Sequence, residues 1–259
     1  MPSKRKISFI SLLGLAMCCG AQTGIPEAGL LNLPIFPAPV VRHGIPLTKA
    51  LGDVGVYVRN GYVLFGVELR LKNGQEPTVN IDLKPGSTLG DALRQIFKQV
   101  RGYTLEIASE HVINVYPTGA KLDPEDVLNL RIGRFDAVDL QPASILSRPQ
   151  DFIPELKARL TPKQTGPPQP GGSIGPGLGV GGGGPTITLH MRESTVRQIL
   201  NAVSEAMEQF PPNYQPTGWI YSFRPDSSSP IGGIHTWQFH WSVPHNWKEE
   251  AEKGKNPSH

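Results

Sequence analysis

The chain writes one pattern twice, and that repetition limits what it can fold into more than any other feature. Residues 77–100 read PTVNIDLKPGSTLGDALRQIFKQV and residues 185–207 read PTITLHMRESTVRQILNAVSEAM. With one residue dropped before the Ser-Thr pair, the two align end to end. In the first copy Val79, Ile81 and Leu83 alternate with Asn80, Asp82 and Lys84, the period of a strand with one buried face. Leu89, Ala92, Leu93, Ile96, Phe97 and Val100 then recur at the spacing of an amphipathic helix. Between them, Ser87 or Thr88 is placed to cap that helix by accepting a hydrogen bond from a free backbone N–H. The second copy repeats the design with Ile187, Leu189 and Met191, then Ser194-Thr195, then Val196, Ile199, Leu200, Val203 and Met207. One such stripe yields roughly 1.5–3 kcal/mol per buried side chain. Ordering a half of about 40 residues costs roughly 1–2 kcal/mol per residue in backbone entropy. Each half therefore needs neighbouring strands. The expected fold class is α+β, with two related βαββ-type units, each packing helices on a small mixed sheet.

The flanking segments supply those strands. Val63, Phe65, Val67, Leu69 and Leu71 alternate with Leu64, Gly66, Glu68 and Arg70, and Asn73-Gly74 marks a turn. Leu47, Ala50, Leu51 and Val54 share one side of a short helix expected over Ile45–Val58. Tyr103–Ile107 and Val112–Tyr116 read as a hairpin. Arg134–Leu140 reads as a strand, and Ala143–Leu146 and Phe152–Leu160 as short helices. Gly218–Phe223 and His235–Val243 read as two further strands. The organisation expected is a Pro-rich disordered lead-in at 22–42, a first unit at 43–118, a connector opening the second unit at 119–161, a Gly/Pro-rich flexible loop at 162–185, a second unit at 186–247 and a disordered charged tail at 248–259.

Residues 1–21 read as a signal peptide. Lys4, Arg5 and Lys6 precede an apolar run from Ile7 to Ala16, and Gly20-Ala21 offers a cleavage site. Both cysteines, Cys18 and Cys19, fall here, so lipidation competes with soluble export. Met17 occupies a slot that normally carries Gly, Ala or Ser, which favours export. Cleavage after Ala21 leaves no thiol and no integral membrane span. Three of the 25 basic residues lie in this segment, leaving 22 to balance 22 acids. That balance makes no electrostatic case for nucleic acid.

Taken in order, the helix over Ile45, Pro46, Leu47, Ala50 and Leu51, the strands, the Thr88-Leu89-x-x-Ala92-Leu93 helix, Gly102-Tyr103-Thr104 and the closing strand Val112–Val115 resemble the short N-terminal domain of secretins and TonB-dependent receptors. The resemblance covers residues 40–117 well and 130–245 more loosely. It implies a periplasmic module that docks an envelope protein or assembles with copies of itself. No pore-forming domain or barrel follows, so it implies a stand-alone relative. Sheet edges that accept a partner strand are expected at Val63–Leu71 and His235–Val243.

Residues that suggest chemistry have structural explanations. His235, His240 and His245 lie among Trp237, Trp241 and Trp247 and are the weak candidates for a zinc or copper site. His235 and His240 are five apart, so on one strand they point to opposite faces. His235 instead shares its face with Trp237, Phe239, Trp241 and Val243, an ordinary core stripe. Gly181–Gly184 lacks the Lys-Ser/Thr pair of a phosphate loop. Glu125 and Asp126 read as solvated charge at a helix start. Glu106, Glu110 and His111 fall in the hairpin with nothing to organise them. No catalytic residue and no cofactor is expected. The leading expectation is a non-enzymatic interaction module of an envelope or secretion-type system, and the alternative is a metal- or ligand-binding protein or enzyme using the His/Trp-rich strand. Positions where the copies differ, Asp82 against His190 and Gly90 against Arg197, are where a distinct binding surface is expected.

Overall fold

The computed structural model describes residues 27–34, 39–57, 63–71, 73–162, 184–207, 210 and 216–241. The signal peptide, most of the 162–185 loop, His245 and the 248–259 tail lie outside them. In chain order the elements are α1 (Glu27–Leu31), β1 (Val40–Pro46), α2 (Leu47–Tyr57), β2 (Leu64–Arg70), β3 (Thr78–Leu83), α3 (Leu89–Phe97), β4 (Tyr103–Ile107) and β5 (Val112–Pro117). There follow β6 (Arg131–Leu140), α4 (Pro142–Ser147), α5 (Pro154–Leu160), β7 (Ile187–Thr195), α6 (Val196–Ala206), β8 (Pro216–Pro225) and β9 (Gly233–Trp241). The fold is α+β. None of the described helices is long and apolar enough to cross a membrane.

Both copies of the repeat start their helix the same way. The Thr88 hydroxyl accepts from the Asp91 N–H at 3.2 Å while the Asp91 carboxylate accepts from the Thr88 N–H at 3.0 Å. Thr195 and Gln198 make the same reciprocal pair, at 3.2 and 2.8 Å. Each pair satisfies two backbone donors that the first helical turn leaves free. The cap is Thr88, not Ser87. Leu89, Ala92, Leu93 and Ile96 on α3, and Val196, Ile199, Leu200 and Val203 on α6, are buried as their spacing requires.

The strands expected to close two separate sheets are pooled. One five-stranded sheet runs β4-β5-β2-β8-β9, with β2 parallel to both β5 and β8 and an antiparallel hairpin at each end. Two small antiparallel sheets, β1-β3 and β6-β7, complete the fold. Val63–Leu71 is therefore not an edge. β2 is the central strand, buried on both faces, as its almost unbroken apolar run allows. The lead-in is also more ordered than its prolines suggest. Leu30 of α1 is buried, and β1 pairs with β3 across a bulge between Arg42 and Ile45, where the Gly44 N–H donates to Asn80 Oδ1 at 2.8 Å.

The central sheet divides two cores. Phe65, Val67 and Leu69 of β2, with Ile113, Val115 and Ile220, face an apolar cluster built with α2 and α3. Trp219 and Tyr221 of β8 face a second cluster built with α4, α5 and α6. The connector at 119–161 is part of that second core through Val127, Leu128, Ile132, Ile145 and Leu146. Gly66 makes room for its neighbours on the two adjacent strands, Asn114 of β5 and Trp219 of β8. A Cβ there would collide with Asn114 Oδ1 and the Trp219 indole, which occupy the space a side chain would need.

Candidate functional site

Where α6 meets β2, four charged side chains meet, three of them buried and Arg70 half-buried. Glu68 points away from the first core and accepts from Arg70 Nε at 3.0 Å and from Arg197 Nη2 at 2.9 Å. Arg70 Nη2 also donates to Asp126 Oδ2 at 2.9 Å, and Asp126 Oδ1 accepts from the Leu128 N–H at 2.8 Å. The side chains of Glu68 and Asp126 are 0 % exposed and that of Arg197 5 %. Arg70 lies over the Phe223 ring at 5.1 Å and Arg197 over the Tyr116 ring at 5.0 Å. Two acids thus meet two guanidinium groups between aromatic rings. Burial, and next the Asp126 charge beside it, push the Glu68 carboxyl up to about 7, against the pull of Arg197.

Two sequence expectations are corrected here. Asp126 is not solvated charge at a helix start. It caps the short turn Val127–Asn129 with one oxygen and holds Arg70 with the other. Arg197 is not part of a distinct surface. It sits at the same helical position as Gly90, but Gly90 abuts Leu31 of α1, whereas Arg197 faces β2 across a gap that its length fills. His190, by contrast, is exposed and pairs its Nδ1 with Asp136 at 2.7 Å. Glu106 accepts from the Tyr116 hydroxyl at 3.1 Å and from Lys121, an arrangement that its hairpin position alone did not disclose.

A cavity of about 670 Å³ opens beside the charged cluster. Arg70, Asp126, Tyr221, Phe223, Ile231 and His235 are among its lining residues. The Tyr221 hydroxyl and His235 Nδ1 are 2.7 Å apart. Burial raises the Tyr221 phenol above its ordinary value and lowers the His235 imidazole below its own. The pair is therefore neutral near pH 7, with the Tyr221 O–H donating to the ring. His235 also bonds the Ile231 backbone, stacks with Tyr221 and meets the Phe223 ring at a tilt. His240 lies opposite Gly218 in the β8–β9 register. The described residues hold no group of three side chains placed to bind a metal. His235 is thus spent on packing its own hairpin, together with Trp237 and Phe239, which pack against the second core.

Glu68 has the proton affinity of a general acid or base, but both its oxygens are engaged and it lines neither this cavity nor a second one under α6. The chemistry open to it is internal: it couples the first half of the chain to the second. No family model matches the chain, and neither curated proteins nor solved structures yield a significant match.

Proposed function

We propose that this chain is an exported, non-enzymatic docking module of a bacterial envelope system, and that it takes up an extended segment of a partner polypeptide along β9. The observation that carries this reading is the unequal treatment of strand edges. On β3, Gln95 of α3 and Gln99 just beyond its end occupy the free edge: Gln95 Oε1 accepts from the Asp82 N–H at 2.8 Å and Gln99 Oε1 from the Asn80 N–H at 2.9 Å, while their amides donate back to the same residues. β9 ends the central sheet: α4 packs against it, but no further described strand pairs along its outer side. An edge strand presents a row of N–H and C=O groups to any extended chain that reaches it. Ile234 and Gln238 are exposed on β9, with Ile234 at 40 %. The likeness of residues 40–117 to the short N-terminal domain of secretins and TonB-dependent receptors supports the same reading.

A photo-crosslinking residue at Ile234 or Gln238, in cells that express the full chain, tests it. One discrete adduct of defined mass is expected from both positions, and Thr236→Pro on the same strand abolishes it. Absence of any adduct at either position, with the protein folded, would sink the proposal.

A second reading is favoured by the 670 Å³ cavity beside Tyr221 and His235, whose size suits a small ligand. Saturable quenching of Trp fluorescence by a small-molecule panel, reduced in Tyr221→Phe, supports that reading. Crosslinks without quenching exclude it.

A further inference from the structure

Arg197 uses only one of its three nitrogens. Nη2 serves Glu68, but Nε and Nη1, both buried, have no hydrogen-bond partner among the described residues. A buried N–H without an acceptor costs about 1–3 kcal/mol, more when it belongs to a charged group. These N–H groups are therefore expected to have a partner when the protein is at work. Arg197 lines a cavity of about 360 Å³ beneath the first turns of α6, together with Glu106, Lys121, Asn129, Arg131 and Asn201. The helix start adds its own positive potential to that space.

The lining charges define the guest. Glu106 neutralises Lys121, and Glu68 faces Arg197. Arg131 makes no ion pair among the described residues, and Glu68 is shared with Arg70 and does not line the cavity, so the cavity holds a net positive charge. A dianion would meet repulsion from Glu106, and a neutral guest could accept from Arg197 but would leave the positive charge of the cavity unbalanced and make the weaker, uncharged hydrogen bonds. The volume exceeds what a bare ion fills. Asn129 Nδ2 already donates to the Ala120 and Asp123 carbonyls and Asn201 Oδ1 accepts from Trp219 Nε1, which leaves Asn129 Oδ1 as an acceptor and Asn201 Nδ2 as a donor for hydroxyl or amide groups. We propose that this cavity binds a small polar monocarboxylate, a hydroxy acid or an acylated amino acid, with its carboxylate on Arg197 and its polar body against Asn129 and Asn201. The site is separate from the edge of β9 and stands whether or not a partner docks there.

The test is thermal unfolding and calorimetry of the full chain with sodium gluconate or N-acetylglycine, against sodium chloride and sodium phosphate at equal ionic strength. A saturable rise in Tm with the carboxylates, absent with chloride, is expected. Arg131→Gln, an exposed position, should weaken binding severalfold. Arg197→Lys keeps the charge but loses the planar donor set, and about a tenfold loss of affinity is expected. Carboxylates that act no differently from chloride overturn the proposal. So does a response to phosphate alone, or an Arg131→Gln protein that binds like the parent.

Discussion

A single carboxyl on the central strand sets the character of this molecule. Glu68 ionises near pH 7 in the folded chain against an ordinary value of 4.5, because burial and Asp126 both oppose its charge. Between those values the folded chain holds a proton that the unfolded chain has released. Stability therefore falls as pH rises from about 4.5 to about 7, and the contribution is level above that. His235 has the opposite sign. Its folded value lies below the ordinary 6.5, so its contribution is present above that pH and is lost as pH falls. Glu68→Gln separates the two, since glutamine imitates the protonated carboxyl and leaves His235 untouched. Urea unfolding at several pH values is expected to show the variant gaining on the parent from pH 4.5 to 7.5, by on the order of 2–3 kcal/mol. Parallel stability curves for the two proteins would show that Glu68 does not titrate in this window.

At the scale of the element, the repeat was legible because its signals are local. Alternation, a Thr cap and a helical stripe all lie within about two dozen residues, and each is built as spaced. The two caps give a direct comparison. Thr88→Ala and Thr195→Ala should each cost about 1 kcal/mol by chemical denaturation, because each removes an acceptor from a first-turn N–H. Ser87→Ala should change stability by less than about 0.5 kcal/mol, since Thr88 already holds the cap. An equal loss at Ser87 and Thr88 would contradict that assignment. What sequence could not disclose was non-local. Glu68 and Arg70 alternate with Val67 and Leu69 as if facing water, and only the approach of α6 and the Asp126 turn makes their face interior. The pairing of β2 with β8 joins residues about 150 positions apart, which no periodicity encodes. The strand β1 was hidden for a different reason: its bulge at His43-Gly44 breaks the alternation that would have announced it. A faint signal did exist for the charged cluster, namely one acid inside the run Val63–Leu71, where β2 is otherwise almost wholly apolar.

For the whole molecule, the division of the cores decides how the two halves depend on each other. Among the described residues, the first core draws its buried side chains from Leu30 to Val115, with Ile220 the one contribution from beyond. Its own strands β2, β4 and β5 already form a three-stranded sheet, and the face of that sheet turned toward α6 carries Gly66, Glu68, Arg70 and Asn114 beside the apolar Leu64 and Val112, so most of its centre tolerates water. The second half lacks this independence. Its aromatic hairpin β8–β9 gains its place in the sheet only by pairing along β2, and without β2 the edge of β8 and the Arg197 guanidinium both lose their partners. Fragments spanning 27–118 and 119–247 should therefore behave unequally. The first is expected to give a dispersed amide NMR spectrum and a cooperative, though less stable, thermal transition. The second is expected to lack fixed tertiary structure alone and to gain it when mixed with the first, with Trp fluorescence reporting burial of Trp219. Glu68→Ala in the first fragment should weaken that association, because it removes the acceptor that Arg197 needs across the junction. Independent folding of the second fragment, or an association indifferent to Glu68, would mean that the shared sheet and its buried charges are not what joins the halves.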